Sequence, residues 1–206
     1  MIIKFFIAIL IYSANTFAQT TNNNCQGTQP PNLQNLLPTQ CCDIRFIFDD
    51  QTVKKCMNNH QGLSNVNVGV KGRFDGLECL FSCLFNATNT FSNGVVNVPA
   101  LKAYASQTLT RANQTRWITI VNEAIDACNS KTSSDQEKIK KSLNGKPVDG
   151  KNICNPVNLY FGSCIYFYQI RKCPFPAPNI PQKLAQNCTD MKNYFTTCPV
   201  PPLYLF

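Results

Sequence analysis

Twelve cysteines, at positions 25, 41, 42, 56, 79, 83, 128, 154, 164, 173, 188 and 198, are the side chains of this 206-residue chain best equipped for chemistry. A thiolate can ligate a metal, exchange disulfides or attack a carbonyl, and each role asks for particular neighbours. No CxxC pair occurs, and His60 is the only histidine. That argues against a zinc site and leaves a Cys–His nucleophile without partners. An even number of cysteines in an exported chain points instead to six disulfides. Other reactive groups are sparse. His60 sits in the polar run Asn58-Asn59-His60-Gln61-Gly62 with no acid or serine motif beside it, and reads as a solvated loop side chain. Asp49-Asp50 reads as a charged helix face rather than an acid/base pair. The GxSxG elbow and any phosphate-cradling glycine loop are absent. The residues predict no cofactor, no metal and no enzyme.

The compartment follows from the first residues. Met1-Ile2-Ile3-Lys4 precedes an apolar run far shorter than the ~20 residues that span a bilayer, and Thr16-Phe17-Ala18 closes it. This predicts a signal peptide over residues 1–18 and a single domain over 19–206, soluble, secreted and without stable membrane insertion. Lys and Arg total 19 against 11 acids, for a formal net charge of +8. Lys131, Lys138, Lys140, Lys141, Lys146 and Lys151 crowd into residues 129–151, read as one solvated loop. Without interleaved aromatics or Arg, that loop is not a nucleic-acid surface.

The elements that carry the cysteines read as helices. Phe74, Leu77, Phe81, Leu84 and Phe85 recur at three-and-four spacing, and Cys79 and Cys83 leave one face a turn apart. Bridges from both would tie this central helix to two other parts of the fold. Ile44, Ile47 and Phe48 mark a helix over 43–56. Pro99 opens another, with Leu101, Tyr104, Ala105 and Leu109 in register. After a break near Asn113 comes a stripe of Trp117, Ile118, Val121, Ala124, Ile125 and Cys128. Residues 157–172 are apolar nearly all round, so that helix is buried on most faces. It ends at Cys173-Pro174, since proline cannot continue the helical ladder. A last helix covers 181–195. Residues 19–40 form an irregular arm, 174–206 an extra C-terminal region with an extended tail, and no strand pattern persists. The fold class is all-α.

Cysteine spacing from Cys56 onward is 22 residues to Cys79, x3 to Cys83, 44 to Cys128, 25 to Cys154, x9 to Cys164, and x8 to Cys173 with Pro174 immediately after. This series resembles the insect odorant-binding proteins, specifically the Plus-C subgroup. That subgroup has cysteines before, within and after a six-cysteine core, and a proline directly after the sixth. The resemblance covers essentially all of residues 19–206. It makes Cys56, Cys79, Cys83, Cys128, Cys164 and Cys173 the core six. The family's interlocked pattern then implies bridges Cys56–Cys83, Cys79–Cys164 and Cys128–Cys173. Cys25, Cys41, Cys42, Cys154, Cys188 and Cys198 are left for three more, with partners open.

What the resemblance implies is a compact stapled bundle of about six to eight helices around an apolar cavity. Cross-links hold such a cavity open against collapse, since void volume costs ~24 cal/mol per Å3. Candidate wall residues are Phe81, Leu84, Phe85, Leu101, Tyr104, Trp117, Ile118, Val121, Ile125, Tyr160, Phe161, Ile165 and Tyr168. The implied ligand is a small hydrophobic odorant, pheromone or similar molecule, delivered to a membrane odorant receptor by a monomer or homodimer in sensillum lymph or another body fluid. Cys41-Cys42 is similar to a doublet in secreted phospholipase A2, but that chemistry needs a His-Asp pair where Asp43-Ile44-Arg45 stands. A carrier of non-olfactory lipids, or a protein-binding inhibitor or effector using the basic loop, are the alternatives. Sequons at Asn86, Asn113 and Asn187 add candidate glycosylation sites, with Asn113 and Asn86 preferred because Cys188 inside the third is expected to be bridged.

Overall fold

The computed structural model describes residues 38–59, 75–92, 95–142, 154–174, 180 and 182–197. The expected leader, residues 19–37 of the expected arm with Cys25, the His60 loop, Lys146, Lys151, Cys198 and the tail lie outside the described residues; residues 38–40, expected to be irregular, are helical. The described chain is all-α: α1 (Pro38–Cys41), α2 (Asp50–Asn59), α3 (Asp75–Ala87), α4 (Val98–Arg111), a 3-10 turn (Thr115–Trp117), α5 (Ile118–Ser142), α6 (Pro156–Lys172) and α7 (Gln182–Thr197). The exception is a two-residue antiparallel pair, β1 (Phe91–Ser92) and β2 (Val95–Val96), with Phe91 opposite Val96. Among the described residues, 45–165 form one compact unit and 38–44 with 166–197 another; the division falls within α6.

In the larger unit, α2 packs on α3 and α4 on α5. Local chemistry fixes both ends of α4. Asn97 caps α4, its side chain accepting the Ala100 N–H at 3.2 Å, and Pro99 occupies the first turn, where no donor is needed. At the other end Asn113 takes a left-handed φ of 54°. The Gln114 N–H then reaches the Leu109 carbonyl at 2.7 Å and the Asn113 N–H reaches Thr110 at 3.0 Å, a Schellman close. The break expected near Asn113 is therefore a helix cap.

Two helices differ from the limits expected of them. The helix expected over 43–56 starts only at Asp50, because Asp49 serves as its N-cap: Oδ1 accepts the Thr52 N–H at 2.9 Å and the Asp49 carbonyl the Val53 N–H at 3.0 Å. Phe46, Ile47 and Phe48 thus precede the helix. The basic loop expected over 129–151 is helical as far as Ser142. Cys128, Thr132, Asp135 and Ile139 are all buried, at i, i+4, i+7 and i+11, so the inward stripe of α5 continues as far as Ile139.

Ten described cysteines form five disulfides. Cys56–Cys83 joins α2 to α3 as expected. The expected Cys79–Cys164 and Cys128–Cys173 bridges do not form. Cys79 pairs with Cys154 just before α6 (Cα–Cα 4.9 Å), and Cys128 on α5 pairs with Cys164 inside α6 (5.8 Å). Cys154 and Cys164 are ten positions apart, mostly along α6, where ten residues rise ~15 Å, so a sulfur beside one cannot reach the other. The interlocked pattern itself survives, first to third, second to fifth and fourth to sixth, once Cys154 is counted fifth and Cys164 sixth. Cys173 is then outside the core. In the smaller unit it pairs with Cys42, and Cys41 with Cys188, which fastens α1 to α7.

Candidate functional site

Seven aromatic rings of the larger unit touch in sequence. Phe161 on α6 meets Phe85 on α3 edge-on, centroids 5.9 Å apart, and Phe85 meets Phe48 at 5.2 Å. From Phe48 the run divides to Phe46 at 5.4 Å and Tyr104 on α4 at 6.1 Å. Phe85 also meets Phe91 of β1 at 6.4 Å, and Phe46 meets Phe81 at 6.3 Å. Such tilted and edge-to-face pairs follow from the ring quadrupole. Burial is graded along the run: Phe161, Phe85, Phe81 and Phe48 are buried, whereas Phe46, Phe91 and Tyr104 are partly exposed. The run therefore leads from the core to the surface.

Polar contacts anchor one of its outer rings as a latch between α2 and α4. The Tyr104 hydroxyl donates to Asp49 Oδ2 and accepts the Asp49 backbone N–H at 3.3 Å. The same Oδ2 accepts the Thr52 hydroxyl at 2.9 Å. Partial burial pushes the Asp49 carboxyl up, but the hydrogen bonds from Tyr104, Thr52 and the Gln51 N–H outweigh it and hold the group below its ordinary value. Burial, then donation to Asp49, raises the Tyr104 hydroxyl. One cap residue thus starts α2 and anchors a ring of α4.

A second buried polar contact crosses from α5 to α6. The Tyr160 hydroxyl donates to Asp135 Oδ2 at 2.8 Å, and Lys131 Nζ lies 3.3 Å from the same oxygen. Burial, followed by the bond to Asp135, drives the Tyr160 hydroxyl far above its ordinary value, so it stays a donor.

The expected wall residues divide by place. Phe81, Phe85, Tyr104 and Phe161 belong to the ring run. Leu84, Leu101, Trp117, Val121, Ile125, Tyr160 and Ile165 are buried elsewhere in the larger unit, and Ile118 is half-buried. Tyr168 falls in the smaller unit, with the Arg171 guanidinium 5.7 Å from its ring centroid. Sequence reasoning missed Phe46, Phe48 and Phe91 as part of the set. Phe46-Ile47-Phe48 is a continuous apolar run with no alternation, so spacing alone did not separate these rings from a helical face. Among the described residues no group of three or more potential metal ligands gathers, and no helix is long and apolar enough to cross a membrane.

Fold and cross-links define an all-α protein whose helices are tied by an interlocked set of disulfides. A family model described as AgamOBP47-like matches residues 45–194. Odorant-binding protein 47 of Anopheles gambiae is 25% identical over 162 residues, covering 78% of this chain and 68% of that protein. The chain belongs to this family of insect odorant-binding proteins.

Proposed function

We propose that the chain is a secreted carrier, not an enzyme, that takes up one small hydrophobic molecule at the ring run and carries it through a body fluid toward a membrane receptor. The observation behind this reading is the graded run from partly exposed Phe46, Phe91 and Tyr104 to buried Phe161. Aromatic surface reaching the exterior gives an apolar molecule a favourable path inward, and the Tyr104–Asp49 latch offers polar atoms to its one polar end. A ligand of ~15 heavy atoms at ~0.5 kcal/mol each gives about −7.5 kcal/mol, in the micromolar range. That strength suits pick-up and release rather than sequestration.

Displacement of a fluorescent apolar probe tests the reading. We expect one probe bound per chain, released by long-chain alcohols, esters or aldehydes, with no turnover of phospholipid. Absence of saturable binding, or measurable hydrolysis, would contradict it.

A further inference from the structure

Three sequons lie on described residues, and the fold treats them differently. Asn86 is in the last turn of α3, and the hydroxyl of its partner Thr88 is engaged with the Leu84 carbonyl at 2.9 Å and Thr90 Oγ1 at 2.8 Å. Asn187 is inside α7, where Thr189 donates to the Ala185 carbonyl at 3.1 Å and the intervening Cys188 is bonded to Cys41. Asn113 is outside any helix, at the left-handed position that closes α4, and both it and Thr115 are exposed. Helix capping accounts for an asparagine at that position, since Asn tolerates positive φ. It does not account for the threonine two residues on. Asn89, the other described asparagine in that conformation (φ 53°), is followed by Thr90-Phe91 and forms no sequon.

We propose that Asn113 carries an N-linked glycan and that it is the occupied sequon of the three. The proposal rests on the secretory reading above. In the transfer, the Asn113 side-chain nitrogen forms a bond to the anomeric carbon of a lipid-pyrophosphate oligosaccharide. The bond from that carbon to the phosphate oxygen breaks, the lipid pyrophosphate leaves, and the amide nitrogen gives up one proton. The exposed turn leaves room for the sugar, and neither residue 113 nor 115 belongs to the ring run.

The full chain expressed in insect cells provides the test, read by intact mass and peptide mapping. We expect the secreted protein to carry one glycan, with enzymatic release leaving aspartate at position 113. Asn113→Gln also disturbs the helix cap, so Thr115→Ala is the cleaner variant: it keeps the cap asparagine and should lose the sugar, whereas Thr115→Ser should keep it. Asn86→Gln and Asn187→Gln should leave the mass increment intact. A secreted chain with bare Asn113, or an increment that persists in Thr115→Ala, would overturn the proposal alone. A chain that stays in the cytosol without sugar would overturn the secretory reading with it.

Discussion

Gly162 faces Phe81 where α6 meets α3, and a Cβ at 162 would fall within the contact radius of three ring carbons. A glycine inside a helix costs ~1 kcal/mol relative to alanine, so its presence in α6 reflects this close approach. Phe81 is fully buried and cannot swing aside. Gly162→Ala should therefore destabilise the fold, overpacking of ~1–3 kcal/mol exceeding the helical gain. In a Phe81→Leu background the penalty should shrink, and a denaturation cycle with equal penalties in both backgrounds would refute the contact. The Asp49–Tyr104 latch yields a pH prediction. Because the folded carboxyl is held below its ordinary value, its stabilisation is complete above the unfolded value of ~3.9 and is lost as pH falls through the folded one. Stability attributable to this group should be level from pH 5 to 8. Tyr104→Phe should cost about 1 kcal/mol at neutral pH, the pair being part-exposed, and should move the Asp49 titration upward, as carbon-detected NMR would read. At this scale the sequence was legible for buried hydrophobes, but not for which polar atoms pair across elements. Asp49 reads as half of an acidic doublet until the turn before α2 brings Tyr104 to it.

At the scale of elements, helix type was legible and helix limits less so. Apolar periodicity placed α3, α4, α6 and α7 within a few residues. It failed for α5, because Thr132 and Asp135 occupy inward positions that a count of hydrophobes scores as surface; the bond from Tyr160 and the Lys131 ammonium offset the burial of Asp135. It failed before α2 because the pattern around Phe48 does not reveal that Asp49 is the cap. The cysteine register was misread for a related reason. Spacing to a following proline favoured Cys173, whereas reach along a rigid helix requires Cys154 and Cys164. Peptide mapping without reductant should recover Cys56–Cys83, Cys79–Cys154, Cys128–Cys164, Cys41–Cys188 and Cys42–Cys173. A peptide joining Cys79 to Cys164 would contradict this arrangement. Replacing both Cys128 and Cys164 with serine should cost about 2–4 kcal/mol.

For the molecule as a whole, the all-α class was readable from helical apolar spacing and the odorant-binding family from the cysteine series. The ring run was not, since it is assembled from five segments spread between residues 46 and 161: the approach to α2, then α3, β1, α4 and α6. Only Phe81, Phe85, Tyr104 and Phe161 were identified in advance, because helical spacing marks buried positions without saying which of them meet. The carrier reading places the ligand against these rings. Aromatic carbon–proton NMR of the protein titrated with a long-chain alcohol tests this most directly. Saturating shifts are expected at Phe46, Phe48, Phe91 and Tyr104 with one alcohol per chain; rings that do not respond, or a response confined to Tyr168 of the other unit, would rule out a ligand seated on this run.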